Sequence, residues 1–195
     1  MRRQKIVRST AETSIEMDFA IDGKGETGIR TGVGFLDHML VLFASHGRFD
    51  LSVACDGDLH VDQHHTAEDV GIVLGQAFSA SIGMKKGIER YATVSTPMDE
   101  ALSTVSLDIS GRPFLVYNVD GLKEKVGDFD TELVEEFFIA FTRHAGVTLH
   151  INLHYGKNSH HIIESIFKSF GRALRIASTI NPVLEGLVPS TKGIL

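Results

Sequence analysis

Polar and apolar positions alternate along this chain with two different periods, and those periods mark its elements. Over "TSIEMDFAI", Ile15, Met17, Phe19 and Ile21 alternate with polar neighbours, the period of a half-buried strand. The turn-rich "DGKGETG" follows, so the chain is predicted to open with an antiparallel hairpin. "GFLDHMLVLFASHG" predicts a helix ended by Gly47, and "FDLSVAC" with "DLHVD" a second strand pair. From about residue 64 to 84, Val70, Val73, Leu74, Ala77 and Phe78 fall at the spacings of an amphipathic helix, which "KKGIER" interrupts. "ALSTVSLDI" and "PFLVYNV" then predict strands, and "TELVEEFFIAFTRHAG" a helix. "VTLHINLHY" predicts a strand with Val147, Leu149, Ile151, Leu153 and Tyr155 on one face. A last helix over about 159 to 178 carries the stripe Ile163, Ile166, Phe167, Phe170 and Leu174.

The two halves of this pattern repeat. His64, His65, Glu68, Gly75 and Ala77 recur 96 positions later as His160, His161, Glu164, Gly171 and Ala173. Upstream, "FLDH" at 35 to 38 matches "FTRH" at 141 to 144 with an offset of 106, so a length change lies between. The reading is an internal duplication: an α+β fold of two halves, residues 1–90 and 91–195, joined as one compact unit. Each half is expected to be an antiparallel-rich sheet with helices packed on one face.

Composition adds limits. A chain of 195 residues with 43% hydrophobic and 23% charged content buries a core without a covalent staple. A net charge of -6 argues against a nucleic-acid surface, while leaving room for a local basic patch that holds a small anion. The single cysteine, Cys55, excludes an internal disulfide and fits a reducing compartment. The basic "MRRQKIVRST" leads into "AETSIEMDF" rather than an apolar stretch, and no run approaches the roughly 18 apolar residues of a membrane span. The expectation is a cytoplasmic protein with no membrane partner.

The candidate chemistry lies in the duplicated histidines. Neighbouring side chains on a helix point about 100° apart, so His64 and His65 do not easily serve one small target together. Two metal ions resolve this. Each HHxxE segment would give one histidine to each ion and its glutamate to one of them, with His38 and His144 completing the sets. The positive end of a helix dipole also disfavours protonated imidazole and leaves nitrogen lone pairs available. Nitrogen and carboxylate donors without thiolate suit Mn, Fe, Co or Zn; open positions for substrate favour Mn or Fe, whereas the Irving–Williams order favours Zn. One HHxxE alone is ordinarily a solvated helix start; its repetition is what carries the metal reading. His60, His150 and His154 read as polar strand positions, and His46 as a favourable charge at a helix end.

"GFLDHML", "DQHHTAEDV", "DISGRP", "SHHIIESIFKSFGRAL" and "PSTKG" together resemble the imidazoleglycerol-phosphate dehydratase family, from "RSTAETSI" to the end of the chain, in its stand-alone form. The resemblance implies a ribosomal protein S5 domain 2-like fold, two Mn2+ ions per active site and a homo-oligomer of 24 subunits whose neighbours complete each site. It implies loss of water from D-erythro-imidazole-glycerol phosphate to give imidazole-acetol phosphate, a step of L-histidine biosynthesis. That substrate has no carbonyl to acidify the departing proton, so the ring, held by metal as an anion, would expel the hydroxyl. The family assigns the base to Glu12, with Asp99 beside Glu100 as a possible helper. Arg90, Arg112, Ser190 and Lys192 match its phosphate-binding positions, and His46 and Lys168 its substrate-binding ones.

Two other readings compete. A dinuclear metallohydrolase acting on a small phosphate ester would also use paired metals and basic residues, although such sites usually rely on bridging aspartates. A metal-buffering or shell-forming protein would use the histidines only to tie subunits together.

Overall fold

The computed structural model describes residues 1–193 and 195. Strand β1 (Arg3–Ser9) turns directly into β2 (Thr13–Ala20); β3 (Thr27–Arg30), helix α1 (Gly34–Gly47), β4 (Asp50–Gly57) and helix α2 (His64–Ile82) complete the first half. The sheet order is β1-β2-β4-β3, antiparallel except for β3 beside β4. A parallel pair needs a crossover, and α1 supplies it. The second half runs β5 (Tyr91–Met98), β6 (Ala101–Asp108), β7 (Phe114–Asn118), a small hairpin of β8 (Lys125–Val126) and β9 (Phe129–Asp130), α3 (Leu133–Ala145), β10 (Thr148–Tyr155) and α4 (Ser159–Ser178). Its main sheet has the order β5-β6-β10-β7, again with only the last pair parallel.

The halves meet through their helices. α2 packs on β1 and β2, and α4 on β5 and β6, but α1 packs on α4 and α3 on α2, so each half lends its first helix to the other. Phenylalanines weld this layer: Phe43 stacks on Phe170 at 4.9 Å and Phe141 meets Phe170 edge-on at the same distance. Glycine permits the close approach. A β-carbon on Gly171 would lie 2.3 Å from the carbonyl oxygen of Phe43, and one on Gly75 would lie 2.7 Å from that of Phe141.

Those two contacts set the true register of the repeat. Gly75 and Gly171 are 96 apart, whereas Phe43 and Phe141 are 98 apart. The helix ends agree: α1 stops at Gly47 before left-handed Arg48, and α3 at Ala145 before left-handed Gly146. The "FLDH" and "FTRH" match is therefore out of step with the fold. His144 corresponds to His46, and the counterpart of His38 is Glu136. A slip of eight residues is a little over two helical turns, which returns the apolar stripe to nearly the same face.

Other departures have local causes. β2 pairs with the basic segment before it, and "DGKGETG" leads instead into β3. "DLHVD" is a turn, closed by Val61 N–H donating to the Asp58 carbonyl, because the chain must reverse to enter α2. β5 lacks an apolar signature and contains Pro97, which an edge strand tolerates. A bulge between Leu153 and Tyr155 in β10 turns Tyr155 outward. Among the described residues no helix is long and apolar enough to cross a membrane.

Candidate functional site

Each HHxxE helix starts on an acceptor that fixes its first turn. Asn158 Oδ1 accepts from the N–H groups of His160 (2.9 Å) and His161 (3.4 Å), and Asp62 Oδ1 accepts from that of His64 (2.7 Å). The start of α1 is held by Asp37, whose Oδ1 accepts from Thr31 N–H and Thr31 Oγ1 at 2.8 and 2.6 Å. His38 on the next residue is thereby presented to α4.

Crossing of α1 over α4 produces one three-donor cluster: a nitrogen of His38, a nitrogen of His160 and a carboxylate oxygen of Glu164 all lie within 4.8 Å of one another. His160 Nε2 is 3.5 Å from Glu164 Oε2, and the His38 and His160 ring centres are 5.6 Å apart. The edge-on ring of Phe35 limits His160 on one side, and an open cavity of about 530 Å³ lies alongside, lined by Gly32, Val33, Phe35, His38, Gln63 and His160. Burial, with His38 and His161 adding to it, holds the His160 pKa below the ordinary histidine value against the pull of Glu164. Burial alone would raise Glu164, but the Lys168 ammonium, 2.5 Å from Oε1, keeps it below the usual carboxylate range. A carboxylate whose Oε1 is held by Lys168 and whose Oε2 faces the two imidazoles is a donor set that fits a divalent first-row cation.

The second histidine of each pair points elsewhere. His65 Nδ1 meets Asp58 Oδ2 at 2.9 Å, and its Nε2 lies 3.6 Å from Glu12 Oε1. His161 repeats this with Glu100 Oε2 at 2.7 Å and Asp99 Oδ2 at 4.0 Å. The hydrogen bonds to Asp58 and Glu100 raise both imidazoles above the ordinary value, and Glu100 falls to about 2, with His161 the largest cause and the Asn158 and Lys157 N–H groups next. Two neighbouring histidines thus face two directions, as the 100° step requires.

The first half holds its set more loosely: His64 Nε2 is 3.9 Å from Glu68 Oε2. His144 does not join them. It lies in the last turn of α3, where the Gly75 level of α2 meets Phe141 and Ala145, two helical turns past Glu68, and its Nδ1 donates to the Ala140 carbonyl at 2.9 Å. The repeat instead carries the His38–Glu164 relation onto Glu136 and Glu68.

The expected substrate-binding and phosphate-binding groups form two sets. His46 sits by Lys168 and Arg172; burial, then these two charges, push its pKa down. A cavity of about 230 Å³ opens there, lined by His46, Arg48, Arg172 and Arg175. Arg90 is buried and bidentate on Asp108 at 2.8 and 3.1 Å, and its Nη1 donates to the Pro189 carbonyl at 2.7 Å, which ties down the segment bearing Ser190 and Lys192. The exposed Arg112 is 3.8 Å from the same Asp108. Arg90 N–H also bonds the Ala177 carbonyl near the end of α4, thirteen residues beyond Glu164 and about 20 Å along the helix.

The partnerships of Asp58 with His65 and Asp108 with Arg90, and the correspondence of Glu136 to His38, were not legible in the sequence reading. Asp58 and Asp108 look like strand-end acids, and only their partners in space reveal them; for Glu136 the signal was available in the helix ends, Gly47 before Arg48 and Ala145 before Gly146.

The family model for imidazoleglycerol-phosphate dehydratase matches residues 31–174. A relative of that description from Oceanobacillus iheyensis is 61% identical over 195 residues, covering the whole of both chains, and one from Methylorubrum extorquens is 57% identical over the same span. The crystal structure of imidazoleglycerol-phosphate dehydratase from Staphylococcus aureus N315 superposes with a TM-score of 0.84 at 47% identity, covering 92% of this chain and 99% of that one. That of the Pyrococcus furiosus enzyme gives 0.84 at 36% identity, covering 97% and 100%. With the duplicated sheets, the crossed helices and the HHxxE starts already in place, these matches establish that the chain belongs to the imidazoleglycerol-phosphate dehydratase family of hydro-lyases.

Proposed function

We propose that the family's reaction, dehydration of imidazole glycerol phosphate in histidine biosynthesis, depends in this chain on two Mn2+ ions per active site, and that neighbouring copies complete each site. The observation that carries this is the convergence of His38, His160 and Glu164 from opposite halves onto one small volume. His64 and Glu68, with Glu136 at the corresponding level, form the matching set, while His65 and His161 face away from their own clusters and are available to another copy. Bound there, the cations supply Lewis acidity to the substrate's imidazole ring.

The chain's own groups do the rest. Glu12 stands at a hairpin tip with its side chain half exposed, 3.6 Å from His65, and takes the proton from the carbon next to the one that loses hydroxide. The carbon–oxygen bond breaks, water leaves, and the enol ketonises. Lys168 keeps Glu164 ionised, and the basic group around His46 suits a phosphate dianion. The Arg90, Arg112 and Lys192 arm lies about 20 Å along α4 from Glu164, farther than a substrate of this size reaches; this favours a phosphate arm lent by a neighbour.

The test is removal of metal. Protein stripped with a chelator should lose turnover of imidazole glycerol phosphate and regain it with Mn2+, with two ions per chain by elemental analysis. Turnover that survives complete stripping defeats the proposal.

A further inference from the structure

We infer that Asp69 is a positioning residue for the reaction: one buried carboxylate on α2 holds both strands of the hairpin whose turn carries Glu12. Asp69 is 5% exposed and directly follows Glu68, a member of the proposed metal set. Its Oδ2 accepts from Thr13 Oγ1, the first residue of β2, at 2.5 Å. Arg8 Nη1, from β1, lies 2.5 Å from the same oxygen but off the hydrogen-bonding line, so it acts there as an ion pair. A buried carboxylate is tolerated only when paired in this way.

The geometry couples this clamp to the chemistry. His65 and Asp69 are four residues apart, stacked on one face of α2. One turn of that helix thus faces Glu12 through His65, and the next grips the strands on either side of it. Within the turn, Thr10 Oγ1 accepts from the N–H groups of Glu12 and Thr13 at 3.1 and 3.0 Å, and Asp58 N–H bonds the Glu12 carbonyl at 3.1 Å. The backbone of Glu12 is therefore fixed relative to α2, while its half-exposed carboxylate meets only the His65 ring, at 3.6 Å, among the described residues.

The other half shows that packing alone does not call for this charge. At the position of Asp69 it has Ser165, whose Oγ donates to Ser103 Oγ on β6 at 2.6 Å, a buried neutral pair. Its turn is anchored differently, through Glu100 Oε1 accepting from the Lys157 and Asn158 N–H groups at 3.1 and 2.8 Å. Glu12 makes no such side-chain bond to α2's start. At this one helix position, the half that carries the base has a charged clamp and the other half a neutral one.

This inference rests on Glu12 being the base, and its test separates the two. In metal-loaded full-length protein, Asp69→Asn and Thr13→Val should each lower kcat by about 10- to 100-fold, the penalty of misplacing a catalytic group by about an ångström. KM and metal content should stay near parental. Thr13→Ser, which keeps the hydroxyl, should restore kcat, and the Ser103→Ala, Ser165→Ala double variant should leave it unchanged. In a Glu12→Gln background, Asp69→Asn should cause no further loss. A full further loss there, or parental kcat in Thr13→Val, overturns the positioning role alone. Parental turnover in Glu12→Gln removes the base assignment and the inference with it. Should Asp69→Asn not fold, Arg8→Met, on the better solvated side of the clamp, replaces it with the same expected outcomes.

Discussion

The main-chain carbonyl of Phe43 faces the α-carbon of Gly171 so closely that a β-carbon there would sit 2.3 Å from the oxygen. This contact sets how α1 crosses α4, and hence where His38 meets Glu164. Gly171→Ala should force the helices apart at a cost of about 1–3 kcal/mol, the range for overpacked cores. Urea unfolding measures that loss, and manganese titration should show weaker binding. Gly34→Ala, with nothing within 4 Å of the added carbon, should be close to neutral in stability. Equal losses in both variants would contradict the crossing argument.

Metal content tests the register of the repeat. His38→Ala and Glu164→Gln should each reduce tightly held manganese from two ions per chain to one. Of the two candidates in α3, Glu136→Ala should reduce it and His144→Ala should not, since His144 aligns with His46 at the far end of the helix. Elemental analysis of the four proteins decides the matter; loss of an ion only in His144→Ala would restore the 106-residue alignment.

Proton linkage gives a third expectation. In metal-free protein His161 has a raised pKa, so its pairing with Glu100 contributes stability fully below the unfolded histidine value of 6.5 and loses it as pH rises through the raised folded value. Glu100, held at about 2, contributes above its unfolded 4.5 and loses the contribution as pH falls toward 2. The pair is therefore fully effective between pH 4.5 and 6.5. Glu100→Gln should bring the His161 titration down, as seen by NMR of the imidazole protons. A cation that takes His65 or His161 must displace such a proton, so uptake should release protons and weaken on acidification; affinity independent of pH across this range would contradict the placement of those rings.

Much of this architecture was readable because periodicity reports burial. The stripe from Ile163 to Leu174 marked α4 to its ends, and the alternation of Ile15, Met17 and Phe19 marked β2, since each pattern faces a core on one side. β1 and β5 escaped because edge strands bury little and carry Arg, Lys, Ser and Thr. The HHxxE repeat located the donors, but a motif does not say which helix crosses which. That depended on Gly75 and Gly171, visible as a repeat yet silent about their partners until Phe141 and Phe43 were seen against them. The family match places the chain among lyases, which removes the basis for the hydrolase and metal-buffer readings.

Arg90 bonds the far end of the helix that begins with His160 and His161, so if neighbouring copies complete each site, as proposed, the two ends of α4 would serve different centres. Genetics then acquires a simple consequence. An Arg112→Ala chain and a His160→Ala chain, each inert as a pure species, should rescue one another when refolded together, because on that proposal a mixed oligomer would assemble some sites from two sound contributions. Random mixing in equal amounts restores about a quarter of them. Intragenic complementation of this kind, from two broken alleles, is the signature of a catalyst that no single polypeptide contains.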